Sequence, residues 1–537
     1  MITRSGRLRL SLALLTALAL TGTALATAAP TPAPPTALAV EDDGADCPVT
    51  LPGSTPANPR LPDPFTRIDG SRVTTLADWR CRRAEIRELA ERHVYGDKPA
   101  KPASVTGAVS RTSISVTATH QGRTASFSAS VDAPSGAGPF PAVIVVGGFG
   151  ADTAAIKAAG AAVISYDPLA VGREGTPRSN KQGAFYSLHG ASSPTGLLAA
   201  WAWGASRIID VIEQSGSATI RADGIGVTGC SRYGKSAFAV GAFDQRIALT
   251  MPIESGSAGA PAFRSIAGES GAQPLSSAYG EQPWLGDAFS AYTGNPNALP
   301  VDTHQVIGMI APRGLLLLEN PHVDWLAARS GSVAALAGAE VYKALGAADN
   351  ISYWSDVQDG THCASRSEWR GPIQENIREH LLKSGNAQQV FRISAKKAGN
   401  LAQWRDWQTP VLSGGGGEPT STTTGVTTTT TGVTTTTTPP PGAGCTASAS
   451  VNQWNGGFVA TITVTANRAI TGWTVGATLP QGATITNSWN TTRTGTSGPV
   501  TFTDAGFNGP LAAGRSTEFG YQATGTAPTA PLTCTAR

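Results

Sequence analysis

The chain has 537 residues, of which 40% are hydrophobic and only 14% charged, with 62 glycines and 37 prolines. That length predicts two or three folded units plus connecting chain, at roughly 100–200 residues per domain. The net charge of +3 vanishes once Arg4, Arg7 and Arg9 of the first segment are set aside. This balance excludes a coiled coil, a polyelectrolyte tail and a multi-span membrane protein, and it leaves no basic footprint for nucleic acid.

Residues 1–28 carry those three arginines, then an apolar run from Leu10 to about Leu20, then Ala24-Leu25-Ala26-Thr27-Ala28. A positive flank, a short apolar stretch and A-x-A sites predict a secretory signal peptide. The run is too short for ~30 Å of hydrocarbon, so no membrane anchor is expected. The six cysteines agree with export: Cys47, Cys81, Cys230, Cys363, Cys445 and Cys534. An even, sparse set in an exported chain reads as three disulfides. The sequence has no C-x-x-C or Cys/His cluster of the kind that holds zinc, so no metal is expected.

Residues 29–60 are rich in Pro, Ala and Thr and are expected to lie loosely on the surface. From 61 to 408 apolar runs alternate with helical patterns. Ser113 to Ala118 and Thr124 to Ala129 alternate around a turn, as an antiparallel edge hairpin does. Pro141 to Val146, Ala161 to Tyr166, Ile225 to Thr228, Ile247 to Ile253 and Gly314 to Leu318 are buried-strand candidates. The first of them ends in Gly147-Gly148-Phe149-Gly150. Leu197 to Gln214 and Lys235 to Phe243 read as helices. Short apolar strands separated by helices predict a mainly parallel sheet covered on both faces.

Residues 409–444 form a Gly/Thr/Pro linker whose composition cannot make a core. A flexible chain of that length spans roughly 30 Å root-mean-square. Residues 445–537 hold only six charged residues, and runs such as Phe458 to Ala466 alternate between Gly/Asn turns. That pattern predicts an antiparallel β-sandwich, with Cys445 and Cys534 pairing its first and last strands.

The strongest chemical signal is Val227-Thr-Gly-Cys-Ser-Arg-Tyr-Gly-Lys235, a strand running through a Gly-flanked serine into a helix. In an α/β-hydrolase the nucleophile sits on such a turn. The second glycine falls at Gly234 rather than at Tyr233, one position late for the usual pattern. Chain order in this fold runs Ser, acid, His. His362 lies in a small-residue loop, Gln358-Asp-Gly-Thr-His-Cys-Ala364, and precedes Cys363 just as Cys230 precedes Ser231. A Cys230–Cys363 bond would bring the two loops together. Two carboxylates compete for the acid. Glu254 follows the strand at Ile247 to Ile253; Glu319 follows Leu315 to Leu318, the commoner position.

The runs GCSRYGK, ESGSAG, GEQPW, DWL at 324–326 and the HC pair together resemble the glucuronoyl esterases of carbohydrate esterase family 15, over roughly 45–408. The resemblance implies an α/β-hydrolase that uses no cofactor. Its substrate would be an ester between 4-O-methyl-glucuronate on xylan and lignin alcohols. It places the nucleophile on Ser231, the base on His362, the acid on Glu254 and an oxyanion-stabilising arginine on Arg232. Sugar contacts fall on Lys235, Gln273, Glu281 and Trp325, and Cys47 would pair with Cys81. Independently of the family, Lys235 lies one helical turn beyond Ser231, and an indole such as Trp325 gives a pyranose an apolar platform.

Residues 445–537 resemble the family 2 cellulose-binding modules, on Val451-Asn-Gln-Trp-Asn-Gly-Gly-Phe458 and Gly472-Trp-Thr474. This resemblance puts Trp454, Trp489 and Phe507 on a flat cellulose-binding face and Trp473 in the core. The expectation is an extracellular monomer that engages a glucuronoxylan–lignin ester and a cellulose surface, with no nucleic acid or membrane partner. The alternatives are an acetyl-xylan or feruloyl esterase on the same fold, or a non-catalytic carbohydrate-binding protein.

Overall fold

The computed structural model describes residues 40–413 and 444–537, apart from 54–55, 386–388, 455–456, 490, 507 and 529. The chain divides into two compact units between Gly417 and Glu418.

The first unit is built on a ten-stranded sheet. Its strands are β1 (Ser104–Val109), β2 (Ser113–His120), β3 (Arg123–Asp132), β4 (Phe140–Val146), β5 (Ala162–Tyr166), β6 (Ile220–Cys230), β7 (Ile247–Ile253), β8 (Gly314–Leu318), β9 (Ile351–Trp354) and β10 (Phe391–Arg392). They lie in the order β1-β2-β3-β5-β4-β6-β7-β8-β9-β10. From β5 onward neighbours run parallel, and β1, β2 and β3 form an antiparallel edge. The apolar runs are continuous because both faces are covered. Ala142, Ile144 and Val146 of β4 enter one core, and Val143 and Val145 enter the other. The helix Leu197–Gln214 is buried along nearly its whole length, in the larger core.

The runs at Ile247 to Ile253 and Gly314 to Leu318 are strands with the expected bounds. The hairpin is β2 and β3. Three strands carry no signal of their own: β1, β9 and the two-residue β10, each held by its neighbour's backbone rather than by a local pattern.

The N-terminal segment differs from the loose drape expected of it. The Glu41 carboxylate pairs with Lys98 and Arg207, inside the fold. Asp43 and Asp46 pair with Arg80, and a Cys47–Cys81 disulfide secures the segment. The far end is pinned too: the Trp407 indole donates to Leu61 O at 3.1 Å, and Ser413 N donates to Thr74 O at 2.9 Å. The folded unit therefore begins before residue 61 and ends after 408.

The second unit is all-β. One antiparallel sheet comprises β11 (Cys445–Trp454), β12 (Gly457–Ala466), β14 (Thr484–Trp489) and β17 (Ser516–Thr524). The other comprises β13 (Trp473–Thr478), β15 (Thr491–Thr494), β16 (Pro499–Asp504) and β18 (Thr533–Ala536). Cys445 and Cys534 join the first and last strands. Trp473 is fully buried, stacks on Phe519 at 4.9 Å and donates its indole N–H to Asn508 O at 2.9 Å. It is the core tryptophan expected. Trp454 and Trp489 end strands of the same sheet. Phe507 and the side chains of both tryptophans lie outside the described residues.

Candidate active site

Strand β6 ends at Cys230 and a helix begins at Arg232, so Ser231 is the whole of the turn between them, at φ 60° and ψ −125°. Its N–H donates to Ile253 O at 2.9 Å, which ties the turn to the end of β7. Glycine at +3 now has a reason. A Cβ on Gly234 would stand 2.4 Å from Ile253 O, so the helix's close approach to β7 requires none. The bulk of Tyr233 is taken up by the loop after β4. A Cβ on Gly147 would stand 2.3 Å from the Tyr233 ring. The irregular glycine spacing thus follows from how the first turn of the helix packs, Gly234 against the end of β7 and Tyr233 against Gly147 of the loop after β4.

The disulfide Cys230–Cys363 is formed, with its Cα atoms 5.9 Å apart, and it joins the turn that carries Ser231 to the loop that carries His362. The second carboxylate question is also geometric. Glu254, buried at the end of β7, puts Oε2 at 2.6 Å from His362 Nδ1 and accepts from Cys363 N at 2.8 Å. Its other oxygen accepts from Arg366 Nη1 at 2.7 Å. Glu319 is buried behind it and takes Ser255 Oγ at 3.3 Å instead. Burial, and then the charge of Glu254, push the Glu319 carboxyl up to about 8, so it carries its proton at neutral pH.

Ser231, Glu254 and Cys363 all have positive φ, at 60°, 46° and 56°. Non-glycine residues seldom adopt that region, and such conformations collect where a site fixes its side chains. Arg366 knits the histidine loop, donating to Thr361 O at 2.7 Å and to Asp359 O at 3.0 Å.

On the other side of Ser231 lies a polar cluster. Arg232 donates to Glu174 at 2.9 Å and faces Glu281 at 3.8 Å. Gln273 donates to Glu281 at 2.8 Å, so the eight-residue gap between them closes into one bond. Trp284 donates its indole N–H to Glu174 at 2.6 Å. Lys235 is more enclosed than its helical position suggested: it is 5% exposed and donates Nζ to Ser255 O at 2.5 Å. Burial pulls its ammonium down to about 8 against the opposing charge of Glu281. Trp325, 54% exposed, meets the His362 ring edge-on at 5.9 Å.

All the central-domain residues singled out from the sequence, Glu319 included, therefore lie in or against one constellation. Glu174, Arg366 and Asn320, whose Nδ2 lies 3.5 Å from Glu254 Oε1, belong to it too, and the sequence offered no motif for them. Trp284 stood in the GEQPW run without an assigned role.

Similarity to known proteins agrees with this arrangement. Residues 116–346 match the family model for fungal glucuronyl esterase. A 4-O-methyl-glucuronoyl methylesterase of Podospora anserina is 39% identical over 377 residues, spanning 68% of this chain and 78% of its own. The chain belongs to the glucuronoyl esterases.

That family comprises carboxylic ester hydrolases. A Schizophyllum commune 4-O-methyl-glucuronoyl methylesterase is 37% identical, with 94% of its length covered. Among solved structures, the glucuronoyl esterase catalytic domain of Hypocrea jecorina superposes with a TM-score of 0.63 at 35% identity, over 68% of this chain and all of the other. A glucuronoyl esterase variant from Sporotrichum thermophile, solved with methyl 4-O-methyl-β-D-glucopyranuronate, gives 0.63 at 36%, with the same coverage. Residues 445–536 match the cellulose binding domain, which makes this glucuronoyl esterase a two-module protein.

Proposed function

We propose that this protein is an exported serine esterase that hydrolyses esters of 4-O-methyl-glucuronate on xylan, freeing lignin alcohols, while its C-terminal module holds it on cellulose. The observation that carries the reading is the Glu254–His362 pair, bonded at 2.6 Å and tied to Ser231 through Cys230–Cys363. With Nδ1 facing Glu254, the imidazole keeps Nε2 for a serine proton.

Ser231 Oγ attacks the ester carbonyl and passes its proton to His362 Nε2. Glu254 stabilises the imidazolium that forms. Negative charge on the tetrahedral oxygen is met by the Arg232 N–H and its guanidinium, together with an N–H of the loop after β4. The C–O bond to the alcohol breaks and His362 returns the proton to the departing oxygen. Water then repeats the cycle on the acyl-enzyme and releases glucuronate. Lys235, Gln273 and Glu281 hold the sugar hydroxyls, and Trp325 offers a ring face. The linker raises the local concentration of esterase at the wall without adding a catalytic contact.

The deciding experiment compares hydrolysis of methyl or benzyl glucuronate with acetylated xylan, using wild type and Ser231→Ala. Preference for the glucuronate ester, lost in the variant, is expected. Activity confined to acetyl esters would demote the reading to an acetyl esterase, and inactivity with cellulose binding intact would leave a binding protein.

A further inference from the structure

The loop after β4, Gly147 to Gly150, crosses directly over the disulfide at the site. A Cβ on Gly150 would stand 2.6 Å from Cys230 Cβ and 2.9 Å from Cys363 Cβ. The side chain next to it, Phe149, is 55% exposed. Among the described residues the large hydrophobic side chains that stand exposed are Val40, Leu76, Phe149, Trp325 and Val411. Of the two aromatics in that group, Trp325 meets the imidazole edge-on and Phe149 stands next to Gly150 on the loop over the disulfide. Aromatic surface left open beside a reacting bond is a place for apolar ligand surface.

Which part of the ester reaches it follows from the tetrahedral geometry. The acyl sugar is drawn to the polar cluster of Arg232, Lys235, Gln273 and Glu281, where hydroxyl and carboxylate partners gather. The oxyanion turns to the N–H donors. The remaining substituent, the alcohol oxygen, must point at His362 to receive its proton. Its carbon skeleton then leaves the pocket past the imidazole, toward the loop over the disulfide that carries Phe149.

We infer that Phe149 is a specificity-determining residue that packs against an aryl-bearing leaving alcohol. This rests on the esterase reading and names its leaving-group side. A benzylic alcohol suits the exit: one flat ring, joined by a single methylene to the ester oxygen, reaches past His362 and lies against the phenyl group. A methyl ester leaves the Phe149 ring untouched.

The test measures kcat/KM, which contains the acylation step and so the leaving group, for benzyl and methyl glucuronate. Phe149→Ala is expected to lower the benzyl-to-methyl ratio by roughly three- to tenfold, the scale of one aromatic contact. Phe149→Tyr is expected to keep the wild-type ratio. If the ratio is unchanged in Phe149→Ala, or if both esters fall together, the assignment is wrong. Hydrolysis of neither ester by the wild type would instead overturn the esterase reading, and this inference with it.

Discussion

Arg366 Nη1 lies 2.7 Å from Oε1 of Glu254, on a carboxylate whose other oxygen is 2.6 Å from His362 Nδ1. The arginine pairs with a fully buried carboxylate and at the same time closes the loop carrying the histidine. Removing one partner of a buried ion pair leaves the other uncompensated, which costs about 3–5 kcal/mol. Arg366→Met is therefore expected to lower the thermal midpoint sharply, with activity at low temperature reduced and its pH profile shifted. Arg366→Lys should recover only part of this, because an ammonium cannot reproduce the forked contacts to Thr361 and Asp359. An Arg366→Met protein as stable as wild type would show that the carboxylate is compensated elsewhere.

The two buried carboxylates separate cleanly in their expected mutant phenotypes. Glu254→Gln keeps the shape but loses the charge that orients His362 and stabilises its protonated form. By analogy with the serine-protease aspartate, kcat is expected to fall by roughly four orders of magnitude. Glu319→Gln replaces an acid that already holds its proton by an isosteric neutral amide, so kcat should move by no more than a few-fold. Parallel turnover measurements decide between them, and equal losses would return Glu319 to the catalytic set.

Much of this site was legible because its chemistry is written in neighbours. Cys230-Ser231 and His362-Cys363 are each adjacent in sequence, and the disulfide expected between the two loops is formed. The strands were legible where both faces are buried, as in β7 and β8. Arg366 and Glu174 were not, since each acts through a partner far along the chain: Glu254 is 112 residues from Arg366, and Arg232 is 58 from Glu174. No spacing rule links positions that meet only through tertiary closure. The segment from residue 40 was misjudged for a related reason. Its Pro/Ala composition says loop, while one carboxylate inserted among cations decides that it is pinned.

That carboxylate supports its own prediction. Glu41 pairs with Lys98 and Arg207, with Arg246 3.5 Å away. Burial alone would raise its pKa, but those cations hold it below the usual range. A lowered folded pKa means that its stabilisation is present above the unfolded value of 4.5 and is lost as pH falls through the folded one. Glu41→Gln should destabilise the esterase unit by about 3–5 kcal/mol at neutral pH. In acid the gap to wild type should narrow. Chemical denaturation at pH 7 and pH 3.5 reads both, and a gap that widens in acid would contradict the assignment.

The proposed cellulose-binding face rests on the match of residues 445–536 to the cellulose binding domain and on the resemblance that puts Trp454, Trp489 and Phe507 there. A phenylalanine at position 507 gives less flat area than an indole and no N–H. Trp454→Ala should weaken binding by on the order of tenfold, and Phe507→Trp should tighten it. A pull-down on microcrystalline cellulose at several loadings measures both. Trp454→Ala binding like wild type would move the face elsewhere on the module.

Glu319 also predicts how stability responds to alkali. Its proton is bound more tightly in the folded protein, at about 8, than in the unfolded chain at 4.5. Stabilisation from the neutral acid is complete below 4.5 and is lost as pH rises toward about 8, with a slope of up to about 1.4 kcal/mol per pH unit. Lys235 does not mask this. Its folded value near 8 is lowered from 10.5, so the linkage it adds falls above pH 8 and has the opposite sign. Glu319→Gln cannot titrate, and its unfolding free energy should fall less steeply than that of wild type between pH 5 and 8. Urea titrations at half-unit steps give the two slopes. Coincident slopes would mean that Glu319 is ionised in the folded protein, and the division of labour between the two carboxylates would then need a different cation than Arg366 to explain it.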